Sequence, residues 1–484
     1  MKNKRTISRR NFLGQASCAA LGSTAFLSSV LNLGMINTAS ARPHILNNEN
    51  DYKAIVCILL AGGADSFNML VPTGNAEFSD YQSIRTELAL QQNELLSINP
   101  SNTAGRSFGI HSGMTGVRDL FDQGNLSFLA NVGTLIEPIN GVNDFNTNSK
   151  RLPLGLYSHA DQIMQWQTSV PQSRSGVGVG GRMADMKKDM FSMDGISMNI
   201  SLAGKNAFQT GNTLAEFSIS NQTTSENIGL QGLDPVLTSG GIFKRARNQA
   251  VSNLVEDVYA NIFNDTYGSL TRQTFEGLDL FKRALAQKPE LPTTFSDTRL
   301  SQDMRMIAEV ISIQRQLGNR RQIFFVTFGG WDHHDNVLMN QETMLPVLSD
   351  AMSEFYGALG QLGHTNDVTT FTISDFGRTL TSNGNGSDHA WGGNQMIMGG
   401  AVDGGKIFGN YPLLRLNDPY NIDPRGRFIP TTSVDEFYAE LALWFGASPN
   451  DLNYILPNLC NFYSAPANCS SPVSSNYAPI GMFL

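Results

Sequence analysis

AIVCILLAGG, Ala54 to Gly63, is the stretch that decides the architecture. Its apolar run is continuous rather than alternating. That pattern predicts a strand buried on both faces, as in a parallel sheet covered by helices, and the Gly pair marks its exit turn.

Working outward, LSFLANVG (Leu126 to Gly133), QIFFVTF (Gln322 to Phe328) and VTTFTISDFG (Val368 to Gly377) have the same character. Helical spacing appears in HSGMTGVRDLFDQG (His111 to Gly124), SHADQIMQWQT (Ser158 to Thr168), around Asp303 to Leu317, and in LPVLSDAMSEFYGALGQL (Leu345 to Leu362). Ser433-Val434-Asp435-Glu436 is a capping box opening a helix through Trp444 and Phe445. Strands alternating with helices predict an α/β protein with a mostly parallel central sheet flanked by helices. From about 172 to 298 the composition shifts to Gly, Ser, Asn and Thr and then to further helical stretches, which reads as an inserted cap region.

The N-terminus stands apart. Lys2, Lys4, Arg5, Arg9 and Arg10 precede a modestly apolar segment, SRRNFL (Ser8 to Leu13) is a twin-arginine pattern, and Ala39-Ser40-Ala41 is a small-x-small cleavage site. Residues 1–41 are thus expected to be a Tat export signal cleaved after Ala41, with 42–484 forming the mature α/β domain. The expected destination is the periplasm or the exterior, with the Tat translocase as partner during export.

Removing the signal takes five basic residues and no acidic one from a chain already at net charge −8. An acidic chain without a basic stripe argues against nucleic-acid binding. No later segment is apolar for long enough to predict membrane insertion of the mature chain. Cys57 lies in the apolar run and is expected in the core, while Cys460 and Cys469 are spaced for a local disulfide.

Chemistry-bearing residues gather just after the strands, where open α/β sheets form their sites. GGADSFN supplies Asp65 and Asn68, GGWDHHDN supplies Asp332, His333 and His334, SDFGRT supplies Asp375 and Arg378, and GSDHAWGG supplies Asp388 and His389. Histidine has no special turn chemistry, so the His pair between aspartates calls for another reason. Carboxylate and neutral imidazole are ligands for divalent ions such as zinc. Asp332, His334 and His389 would make a three-ligand site, with Asp65 and Asp375 holding a second ion. His333 is expected to point away, since neighbours on extended chain face opposite sides. The blander readings are that Asp65 serves turn amides and that His389 is an ordinary hydrogen-bonded side chain.

These motifs, with the GGAVDGG run (Gly399 to Gly405), resemble the exported bacterial family called domain of unknown function 1501, grouped by similarity with the alkaline phosphatase and sulfatase superfamily. The resemblance covers nearly the whole mature chain. It implies a metal-dependent hydrolase of phosphate esters, or less readily sulfate esters, acting on a small-molecule or glycan ester. One or two divalent ions are implied, zinc first, then manganese, magnesium or calcium. Asp65, Asp332, His334, Asp375 and His389 match the metal positions. Ser158, in LYSHADQ, matches the nucleophile at a helix N-terminus, although serine there also serves as a plain N-cap. Arg378 matches a clamp on phosphate, and Asn68 and His159 stand where substrate would be bound.

Two departures bear on activity. Phe376 occupies a position where the superfamily often has a histidine, which weakens the second metal site. The sulfatase signature around the nucleophile is absent, which disfavours sulfate esters. The competing readings are a non-catalytic exported protein that binds metal or glycan on the same fold, and a metal-dependent isomerase or transferase of phosphorylated or sulfated sugars.

Overall fold

A computed structural model describes residues 51–186, 196–214, 216–224, 277–463 and 478–484. The Tat signal expected at 1–41 lies outside the described residues. So does Cys469, while Cys460 is disulfide-bonded. Cys57 is free and buried, as expected.

In chain order the strands are β1 (Lys53–Ala61), β2 (Leu70–Pro72), β3 (Leu96–Ile98), β4 (Phe108–Ile110), β5 (Leu126–Gly133), β6 (Asn199–Ser201), β7 (Phe217–Ser218), β8 (Arg321–Gly329), β9 (Val368–Ser374), β10 (Gly393–Met398), β11 (Ile407–Gly409) and β12 (Thr432–Ser433). The helices that matter here are α1 (Asn75–Arg85), α2 (Thr115–Asp122), α3 (His159–Thr168), α4 (Arg299–Ser312), α5 (Val337–Leu362) and α6 (Val434–Phe445).

The main sheet has nine strands in the order β11-β5-β10-β9-β1-β8-β6-β7, with β12 also on β5. All its pairings are parallel except those of β10, which runs antiparallel to both β5 and β9. β2, β4 and β3 form a separate small antiparallel sheet. The expected α/β class with a mostly parallel sheet is therefore observed. Of the stretch 172–298, residues 225–276 lie outside the described residues, and Asn199–Ser201 joins the main sheet beside β8.

β1 shows why its apolar run is continuous. Val56, Ile58 and Leu60 enter a core formed with α2, α4 and α5, whereas Ile55, Cys57 and Leu59 enter a second core formed with α6 and Trp166 of α3. Both faces are covered, so neither face can be polar. Caps fix where the helices start. Thr298 accepts from Ser301 N–H, and Ser433 with Glu436 forms the expected capping box.

Register then sets the functional rim. Ala61 pairs with Gly329 and Leu60 with Ser374, so the segments after β1, β8 and β9 leave the sheet at one level. Because β10 runs the other way, the residues that precede its start at Gly393 lie at that same edge. This is how His389 reaches a rim otherwise built from carboxyl ends of parallel strands. The exit turn of β1 needs its glycines. Gly62 has φ +121°, and a Cβ there would stand 2.5 Å from Asp332 N; a Cβ on Gly63 (φ +81°) would stand 2.4 Å from the Phe376 ring.

Candidate metal centre

Three histidines and one aspartate meet at this rim. His159 Nε2 lies 3.1 Å from His389 Nε2, and His334 Nε2 lies 2.8 Å from it on the other side. Asp332 Oδ1 is 3.1 Å from His334 Nε2 and 3.3 Å from His389 Nε2, while its Oδ2 is 3.5 Å from His159 Nε2. His159, Asp332 and His389 can each offer one ligand atom with all three within 4.8 Å of one another.

The other nitrogen of each ring explains the arrangement. His159 Nδ1–H donates to Asp375 Oδ2 at 2.8 Å, and His334 Nδ1–H donates to Asp388 Oδ1 at 3.0 Å. His389 Nδ1–H donates to the Tyr157 carbonyl at 2.8 Å. Carboxylates and carbonyls only accept, so a proton on Nδ1 of each ring satisfies these contacts and leaves Nε2 able to face inward as a ligand atom. Neutral rings protonated in this way turn lone pairs toward one another and toward a carboxylate, an arrangement that a cation among them would relieve. Donors around a tetrahedral ion bound at about 2.0–2.1 Å stand roughly 3.3 Å apart, which the observed spacings bracket.

Local electrostatics favour the ligand forms. Burial, then the Arg378 cation, holds the His334 imidazole below its ordinary range. Burial does the same for His389, against the bond to Tyr157. For Asp332 burial pushes upward, but the hydrogen bond and charge of Arg378, with His159 and His334, outweigh it and lower the carboxyl. The site remains open: the Asp332 side chain is 48% exposed and that of His334 44%.

Tyr157 adopts φ +69°, uncommon for a residue other than glycine. Its N–H donates to Gln162 Oε1 at 2.5 Å, and the Arg427 guanidinium lies 4.7 Å over its ring. Arg427 Nε–H also donates to the His389 carbonyl at 2.7 Å. The strained turn thereby points a carbonyl at His389 while starting α3 with Ser158 and His159.

Several expected roles change. Asp65 is fully buried and not part of the centre: Oδ2 accepts from Arg85 Nη2 at 2.9 Å and from Ser387 Oγ at 2.8 Å, and Oδ1 from Phe67 N at 3.3 Å. Asp375 is not a ligand but the carboxylate that orients His159; its Oδ1 also accepts from Gly62 N at 3.1 Å. Thus Asp65 and Asp375 make no second ion site. His159, expected to touch substrate, is instead a member of the centre. Asn68 is buried between Leu88 O, to which it donates, and the Tyr81 hydroxyl, from which it accepts, so it does not face substrate.

Arg378 is no substrate clamp either. It is fully buried, donating to the carbonyls of Gly63, Ser387 and Gly62 and to Asp332. Ser158 is the N-cap of α3, its Oγ accepting from Asp161 N at 3.4 Å. Phe376 packs its ring on those of His159 and His389, with centroids 4.8 and 4.5 Å away. His333 turns into the core beside Trp331, away from the centre as expected.

Asp388 and Tyr157 were not singled out as orienting groups. Adjacency to His389 was the available signal for Asp388, which also accepts from Asn383 and Arg425. Nothing in the sequence marks the Tyr157 carbonyl.

Residues 265–448 match the family described as "Protein of unknown function (DUF1501)". The DUF1501 match spans Asp332, His334, Asp375 and His389 but not His159, so the centre joins that segment to one outside it. No curated protein matches the sequence. Among solved structures, similarity extends to Ps i-CgsB, at 11% identity over 84% of this chain and 76% of that one, with a TM-score of 0.31. The lipoteichoic acid synthase LtaP from Listeria monocytogenes matches at 7% identity, 76% and 71% coverage and a TM-score of 0.28. An alkaline phosphatase from the Antarctic bacterium TAB5 matches at 9% identity, 72% and 91% coverage and a TM-score of 0.25. Among the described residues no helix is long and apolar enough to cross a membrane.

Proposed function

We propose that the chain is an exported, metal-dependent hydrolase of phosphate esters, with sulfate esters as poorer substrates, built on one divalent ion held by His159, His334, His389 and Asp332. The meeting of the Nδ1-anchored rings of His159 and His389 with Asp332 at metal-ligand spacing, with the His334 ring beside His389 and Asp332, is the observation that carries this reading. A bound ion would supply Lewis acidity at an ester oxygen and lower the pKa of a water. Asp375, Asp388 and the Tyr157 carbonyl keep the three Nε2 atoms unprotonated and aimed. Ser158, one residue before His159 at the start of α3, is the nucleophile: its Oγ forms the bond to phosphorus as the ester oxygen leaves, its proton passes to solvent, and water later cleaves the phosphoserine. The helix N-terminus favours the negative charge that gathers there. With Arg378 withdrawn into the core, Arg425, which holds Asp388 and is nearly half exposed, is a cation beside the centre available to an anionic ester.

One observation favours a second reading, a non-catalytic metal- or glycan-binding protein. Four protein donors saturate a tetrahedral ion, and closed four-ligand sites are the structural kind. Elemental analysis of the mature protein, together with a screen of phosphate and sulfate esters, separates the two. Bound metal near one per chain with hydrolysis, lost in Ser158→Ala, supports the hydrolase. Bound metal without turnover favours the second reading, and absence of bound metal after incubation with zinc, manganese, magnesium or calcium overturns both.

Asp375→Asn tests the orienting role. An amide offers one oxygen where two N–H groups now donate, so its NH2 would face either Gly62 N–H or His159 Nδ1–H. The latter flips the His159 tautomer and protonates Nε2. Metal affinity in a chelator competition should fall by about 10- to 100-fold, the usual cost of losing such a partner. An unchanged affinity would show that His159 needs no such anchor.

A further inference from the structure

Arg378 is a buried cation with an unusually complete set of partners, and none of them is a substrate. Its side chain has no exposure. Nε–H donates to Gly63 O at 2.7 Å, Nη1 to Ser387 O at 2.7 Å, and Nη2 to Gly62 O at 2.6 Å and Trp331 O at 3.4 Å. These carbonyls come from the exit turn of β1, from the loop after β8 and from the loop that carries His389. The guanidinium therefore ties three rim segments into one frame and cannot swing toward solvent without abandoning them all.

The single side chain it holds is Asp332, through Nη2 and Oδ1. Asp332 is otherwise poorly restrained, for it is about half exposed and follows Gly330 (φ +102°) on a loop. The same Oδ1 faces His334 and His389. Aiming a carboxylate into a cluster of lone pairs costs energy unless something fixed holds it there, and the planar fork of an arginine suits that task better than the point charge of a lysine.

We infer that Arg378 is a positioning residue: it acts through Asp332, holding that carboxylate in the orientation that completes the metal centre. This rests on the metal reading above. It also accounts for an arginine at the rim that has no free donor face.

A double-mutant cycle on the mature protein tests it, with zinc affinity measured by chelator competition and the apoprotein's thermal midpoint recorded alongside. Arg378→Met should weaken zinc binding by about 10- to 100-fold in the otherwise unchanged protein. In an Asp332→Asn background the same change should cost only about two- to threefold, because there is no carboxylate left to position. Arg378→Lys, which keeps charge without the fork, should fall between, and it replaces Arg378→Met in the cycle if the methionine variant does not fold. Cobalt substitution gives a second readout: Arg378→Lys should change the visible spectrum of the ion in the otherwise unchanged protein and leave it unchanged in the Asp332→Asn background.

Equal losses in both backgrounds, or equal lowering of the midpoint with and without zinc and no change in affinity, would make Arg378 a merely structural residue and overturn the inference. Absence of zinc binding in the unmutated protein would overturn the metal reading, and this inference with it.

Discussion

Replacing His389 with alanine is expected to abolish stoichiometric metal binding. His389 Nε2 stands between the other two imidazoles, 3.1 Å from His159 and 2.8 Å from His334, and 3.3 Å from Asp332 Oδ1. Asp332 is the other member that reaches all three of the rest, through its two carboxylate oxygens. Losing a direct ligand costs more than the roughly 10- to 100-fold that losing an orienting partner costs, so the apparent affinity should fall at least a hundredfold. Any ester hydrolysis should fall with it. Chelator competition on variant and parent would measure this. Retention of tight binding in His389→Ala would move the ion elsewhere and sink the assignment. The apoprotein should lose little stability in comparison, since the His389 ring is only partly buried.

Acid should release the metal too, and the sign follows from the ring environments. His334 and His389 have folded-state pKa values below the ordinary imidazole value of about 6.5, so the folded apoprotein binds fewer protons than the unfolded chain in that region. Their contribution to stability is present above the unfolded value and is lost as pH falls through the folded one. Protons compete with the ion over the same range.

The second large effect concerns Arg85. This residue and Asp65 form an ion pair with no exposure on either side chain, at 2.9 Å. Arg85 Nη1 also lies within 3.4 Å of the carbonyls of Thr379 and Leu380. Removing one member of such a pair leaves an uncompensated buried charge, so Arg85→Ala should cost about 3–5 kcal/mol in urea unfolding. Asp65→Asn should also destabilise the fold, yet metal content should stay at the parent level because Asp65 lies outside the centre. Loss of metal in a folded Asp65→Asn protein would restore Asp65 as a ligand. A cost below about 1 kcal/mol for Arg85→Ala would mean that the site collapses or admits water well enough to dispense with the pair.

Particular residues show how far the sequence reached. The run Ala54 to Leu60 determined a strand covered on both faces, because hydrophobicity and period are properties of the segment itself. Leu126–Gly133 is a strand over the whole stretch read as one, and the helix after Ser433 begins at its capping box. The helix at Leu345–Leu362 in fact starts at Val337: Pro346 reads locally as a helix boundary, yet packing of Val337 and Gln341 in the core carries the helix through it. Asp332, His334 and His389 were legible as a group because imidazole has no ordinary business in a turn.

What only the tertiary structure decided is which polar side chain spends itself on which neighbour. Asp65, Asp375 and Arg378 all follow strands and all bear charge, and sequence spacing treats them alike. Burial separates them. Arg85 comes from the end of α1 to claim Asp65, the β1 turn and His159 claim Asp375, and backbone carbonyls from three segments claim Arg378. His159 reaches the centre from a helix far away in the chain, through a contact with no local signature. Residue type and period belong to a segment and can be read from it, whereas the partner that a buried charge requires is supplied by whatever the fold brings beside it.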